Sequence, residues 1–171
     1  MRTTGLLAGA AALVALSLFA TLFTPWGPKA SDPANAAGAA AETQLAVEQI
    51  ELETASGVKV VQAEIARTPD QQAKGLMFRT TLADDRGMLF PHNPPREVTM
   101  WMRNTYISLD MVFIRADGVV HRIAARTDPL SEKVISSQGD VAAVLELAGG
   151  AAERLDLKPG DKVRHSFFTA K

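Results

Sequence analysis

The sequence predicts a mainly β, α+β domain, a small antiparallel barrel or barrel-like sandwich with two short helices. Two observations carry that prediction. Apolar segments recur roughly every ten residues between turn signals, a spacing typical of short antiparallel strands. Helical signals are confined to two brief stretches, one opening at Thr68 and one following Gly149. The chain has 171 residues and no cysteine, so one core must form without disulfide staples, which a domain of this size can do.

The elements follow in order. Residues 47–54 alternate and suggest an early edge strand. Ser56-Gly57 makes a turn, and residues 58–66 return as a second strand with Val61, Ala63 and Ile65 on its buried face and Glu64 pointing away. Thr68-Pro69-Asp70-Gln71 announces a short helix. Thr68 can cap it, Pro69 suits its first position, Gln71 can complete a capping box, and Asp70 complements its positive end. Gly75 gives it a stop.

Five further strands are expected at residues 87–90, 97–103, 109–115, 119–126 and 141–147. Asp117-Gly118 is a strong two-residue hairpin signal. Residues 91–95 hold three prolines and cannot be a central strand. Residues 129–139 read as a loop and 149–155 as a turn or two of helix. Pro159-Gly160 is a β-turn, with Asp161 belonging to it, and residues 162–168 close as the last strand.

Five separated blocks of this sequence carry a resemblance: GLMFR (75–79), GMLF (87–90), MWMRNT-x-I-x-LDMVFI (100–114), VLELAGG (144–150) and LKPGDKV (157–163). In this order they resemble the family named domain of unknown function 192 across roughly residues 58–167. The resemblance implies a compact, mostly β domain, often behind an export signal, and no established activity. Ser108 stands where the family more often has proline, which loosens the turn and removes no candidate ligand group.

Residues 1–41 differ in kind from the rest. Arg2 gives a basic start, residues 6–23 run apolar without a charge, Pro25 and Gly27 end the run, and an Ala-, Pro- and Ser-rich stretch follows. This is the grammar of an export signal with a linker. Ala34-Asn35-Ala36 is a small-x-small cleavage candidate, and residues 6–23 are also just long enough to serve as a retained anchor. Both readings expect a periplasmic or extracellular location, with residues 42–171 as one β-rich domain. The net charge of −1 and the lack of a basic run argue against nucleic acid as a partner. Any membrane contact is expected only through the N-terminal segment, and the sequence fixes no oligomeric state.

Residues 100–118 concentrate the chemistry. They read as a hairpin, with Trp101, Arg103, Asn104, Thr105 and Asp110 at or near its polar connection. The pleat groups Val98, Met100 and Met102 on one face, and Thr99, Trp101 and Arg103 on the other. In the next strand Leu109, Met111 and Phe113 share a face, while Asp110 stands with Val112 and Ile114. A carboxylate among apolar walls must be paired, so Asp110 is expected to meet Arg79, Arg103 or the backbone amides of residues 104–106. One reading has Asp110 simply tying the turn. The other has Arg79, Trp101, Arg103, Asn104, Thr105 and Asp110 lining a pocket for a small polar or anionic ligand, since arginine suits carboxylate or phosphate and an indole supplies a flat wall.

The remaining candidates read as structural. Glu146 interrupts the strand VLEL as an outward or rim residue. His92, His121 and His165 lack metal-site spacing, and Met77, Met88, Met100, Met102 and Met111 fit a packed core better than a copper site. No metal or cofactor is expected. No GxSxG, P-loop, HExxH or dinucleotide fingerprint occurs. The expectation is therefore a non-enzymatic exported binding or accessory module. Its rivals are an envelope hydrolase using Asp110 or Glu146 as general acid or base, and a structural protein whose motif only stabilises the fold.

Overall fold

The structure, a computed structural model, describes residues 45–169; the expected signal or anchor and its linker lie outside them. Seven strands form one sheet: β1 (Ala46–Thr54), β2 (Gly57–Ile65), β3 (Arg86–Met100), β4 (Leu109–Ile114), β5 (Val120–Ala124), β6 (Ile135–Ala148) and β7 (Lys162–Arg164). Three short helices accompany them: α1 (Pro69–Lys74), α2 (Ala151–Arg154) and α3 (Ser166–Thr169). The fold is mainly β, α+β, as the strand spacing predicted.

The strand order is β5-β4-β6-β3-β2-β1-β7. The sheet curls into a half-barrel until its two ends touch, through a single bridge between Val119 and Lys162 and backbone bonds such as Val120 N–H to Asp161 O at 2.9 Å and Val163 N–H to Gly118 O at 2.8 Å. Curling gives the sheet two unlike sides. The inner side gathers apolar residues from every strand, among them Leu52, Val61, Leu89, Val112, Val120, Leu145 and Val163. Outward-facing Met88, Phe90, Met111, Phe113 and Val144 on the central strands are also apolar, so they need cover. Leu76 beyond α1 and Met102 beyond β3 supply it, forming a second buried layer outside the wall.

Most local signals produced the elements they specify. Thr68 caps α1 and Gln71 completes the capping box, with Pro69 in the first turn. The Asp117-Gly118 turn joins β4 to β5, and Pro159-Gly160 turns the chain with Asp161 accepting from the Lys158 amide at 2.8 Å. Val61, Ala63 and Ile65 are buried as expected.

Several details differ from these expectations. Residues 100–118 are not a hairpin: β6 lies between β3 and β4 and pairs with both. The proline segment is part of β3 as a large bulge, where pairing jumps from Pro91 to Arg96 while the partner strand moves only from Ala143 to Val141. Missing N–H groups explain why that stretch leaves the ladder. The supposed loop at 129–139 already belongs to β6 from Ile135. β7 stops at Arg164 and the chain finishes as α3, so a third helix replaces the end of the expected last strand. Finally, β1 is interior, flanked by β2 and β7. The β2–β3 pair is parallel, because α1 and its trailing loop carry the chain back before β3 begins.

Candidate functional site

Asp110 is fully buried, and its partners are all backbone amides. Oδ1 accepts from Arg126 N–H at 2.7 Å and from Gly150 N–H at 2.9 Å, while Oδ2 accepts from Ala152 N–H at 2.9 Å. Gly150, at φ 82, is the N-cap of α2 and has no side chain to serve as one, so Asp110 caps that helix from across the fold. A Cβ at Gly150 would also meet the Arg126 guanidinium at 2.7 Å. The expected arginine partners are absent from this carboxylate. Arg79 makes a bidentate pair with Glu64, both contacts at 2.6 Å. Arg103 bonds Glu132 at 3.1 Å and lies 5.0 Å from the Trp101 ring centre. Asn104, at φ 55, contacts the Met77 sulfur at 3.9 Å. The six residues grouped by the sequence therefore do not converge, because the intervening β6 moves Asp110 away from the Trp101–Thr105 connection.

Two of the six, Trp101 and Thr105, line a different feature. A cleft of about 350 Å³ opens between the outer side of the sheet, the end of α1 and the segment following β3. Leu76, Phe90 and Val98 form its apolar lining; Trp101, half-exposed, is a wall; Lys74, His92, Arg96, Glu97 and Thr105 bring polar groups. Glu146 also lines it.

The register explains how an acid comes to sit there. Glu146 on β6 pairs with Met88 on β3 and Met111 on β4, and Met88 pairs in turn with Glu64 on β2. Directly paired residues share a side of the sheet, so Glu146 points outward, as its alternation implied. The second apolar layer then buries it, leaving it 4% exposed, so it is no rim residue. Its carboxyl takes no hydrogen bond from the described residues, and burial pushes its pKa up to about 8 against the opposing pull of Arg79. At neutral pH it is chiefly a neutral carboxylic acid, able to donate.

His92 is the other unusual group. Its Nδ1 lies 3.4 Å from the Arg96 guanidinium. A guanidinium has no acceptor to offer, so Nδ1 accepts and the neutral ring carries its proton on Nε2. Burial, helped by the Arg96 charge, lowers the His92 pKa and keeps the ring neutral. Nε2 is buried with no partner among the described residues. The sequence hid this residue inside a proline-rich stretch. Glu146 did have a signal, an acid within an apolar run, but alternation reports the side a residue faces and not what covers that side.

Among the described residues no group of three or more His, Cys, Asp or Glu is placed to hold a metal ion. None of the described helices is long and apolar enough to cross a membrane.

Comparison with known proteins agrees with the fold. A crystal structure from Sinorhizobium meliloti 1021, of a protein provisionally described as a transcription regulator, is 43% identical, with a TM-score of 0.71 over 73% of this chain and 98% of that one. A protein of unknown function from Novosphingobium aromaticivorans DSM 12444 is 47% identical, with a TM-score of 0.70 over 72% of this chain and 88% of that one. No curated protein matches. The family model for domain of unknown function 192, described as an uncharacterised ACR, matches residues 50–165. That span includes the capping Asp110, the buried Glu146 and the strands that hold them, and the chain belongs to this family.

Proposed function

We propose that this chain is an exported, non-enzymatic binding module that holds a small polar ligand in the cleft beside Glu146. The observation that carries the reading is that two buried polar groups line one cleft, His92, whose Nε2 has no partner among the described residues, and Glu146, whose burial outweighs the pull of Arg79. A buried polar atom without a partner costs stability, and a ligand supplying one explains the retention of His92. In this reading Trp101 supplies the wall. Export rests on the sequence pattern of residues 1–41.

A hydrolase is the second reading, favoured by the raised pKa of Glu146, which suits a general acid. It needs a second group at the same bond. His92 lies four residues along β3 from Met88, the partner of Glu146, which is about 13 Å of strand. That separation fits two ends of one ligand better than two sides of one bond. A regulator of transcription, the description given to the Sinorhizobium relative, finds little support in the charges. Arg67, Arg103, Arg126, Arg154 and Arg164 are each engaged by an acid and are poorly free for phosphates.

Native mass spectrometry of the full chain purified from its own source tests the proposal. Wild-type protein should retain a small molecule, and Trp101→Ala should lose it at unchanged melting temperature, because that side chain is half-exposed. Turnover of an ester or glycoside panel, lost in Glu146→Gln, would replace the binding reading with the hydrolase.

A further inference from the structure

The unpaired groups around the cleft share one chemical character. The fixed tautomer makes His92 Nε2 a donor lacking an acceptor. Arg96 and Lys74 are donors that enter no ion pair among the described residues. Glu146 in its neutral form carries a donating hydroxyl. The competing acceptor is Glu97, and one of its oxygens is already occupied by the Ser136 hydroxyl at 2.6 Å. Thr105 donates its hydroxyl to the Arg103 carbonyl at 3.3 Å. Gln72 spends its amide on the Ala66 and Pro91 carbonyls at 3.1 and 2.9 Å.

The same Gln72–Pro91 bond, with Gly75 lying against Phe90, holds the last turn of α1 beside β3. Lys74 is thereby brought toward the rim that carries His92 and Arg96. With Glu146 neutral, two cations and one carboxylate leave the cleft a single positive charge. Its volume of about 350 Å³ is at the small end of ligand sites, and the lining between the polar ends is Leu76, Phe90, Val98 and Trp101.

We propose that the cleft takes a small organic monocarboxylate, its acid group held by Arg96, Lys74 and His92 and its apolar body running along Phe90 and Leu76 toward Glu146. This deepens the binding reading above and rests on it.

Three probes of matched shape separate the two: 4-phenylbutyrate, its neutral amide, and 4-phenylbutylamine. Each is titrated into the full chain while amide and indole resonances of Gly75 and Trp101 are followed by NMR. The carboxylate should shift both resonances, with the amide binding about tenfold or more weakly, as expected for loss of a charge-assisted contact, and the amine not at all. Arg96→Met should weaken the carboxylate by a similar factor and leave the amide unchanged. Tighter binding of the amide or amine would overturn the anion inference and leave the binding cleft standing. Shifts from none of the probes would also overturn it; the binding reading falls with it only if native mass spectrometry finds no retained molecule.

Discussion

Glu146 sits at the cleft with an ionisation displaced far from a free carboxyl, and the displacement is a statement about stability. Unfolded, the group gives up its proton near the ordinary value of 4.5; folded, it keeps it to about 8. Between those values the native state binds more protons than the unfolded one, so stability falls as pH rises. The contribution is complete below pH 4.5 and gone once the folded value has been passed. His92 acts in the opposite sense and lower down: its pKa is depressed from 6.5 by burial, so it costs stability only as pH drops below that value. The window from pH 6.5 to 8 therefore belongs to Glu146. Urea denaturation across it should show wild type losing up to about 1.4 kcal/mol per pH unit, and Glu146→Gln showing no such loss. Parallel profiles would mean that the carboxyl is hydrated and ionised in the native state.

Among the elements, α2 depends on a residue it does not contain. A four-residue helix with glycine at its N-cap has little stability of its own, and Asp110 supplies the acceptors its first turn lacks. Asp110→Ala would strand three backbone donors in a dry interior, an expected loss of about 3–5 kcal/mol in chemical denaturation. Asp110→Asn should recover only part, because an amide can accept at one atom and not at both. The dependence also marks what a sequence conveys about elements. Thr68, Pro69, Gln71 and Gly75 specified α1 from within six residues of it, and Asp117-Gly118 specified its turn, since those interactions are local. The unusual status of Asp110 was legible too, as an acid among apolar neighbours. Its partners were not, because Arg126, Gly150 and Ala152 come close only after β6 has inserted between β3 and β4. The same insertion separated Trp101 from Asp110 and made a plausible hairpin into a crossover. His92 was illegible for a related reason, its environment being built by α1 and a bulge.

At the scale of the molecule, cohesion is uneven. The β1–β2 ladder runs from Ala46–Ile65 to Thr54–Gly57 without a break, and β6 is paired on both sides along its C-terminal stretch. The two ends of the sheet, in contrast, are joined by one bridge and a few neighbouring backbone bonds. Opening should begin at that seam, since local unfolding follows the regions with fewest interactions to lose. Native-state hydrogen exchange should find the Val120 and Val163 amides released before those of Leu89 and Leu145. Equal protection at all four would mean that the molecule opens only as a unit.

The cleft, however, lies on the far side of the wall from that seam's interior, among outward-facing side chains of β3 and β6. A ligand of the kind proposed would come and go without parting any pair of strands. Changes at the α1 end and the Trp101 segment would then alter what the cleft accepts while the paired strands beneath keep their register.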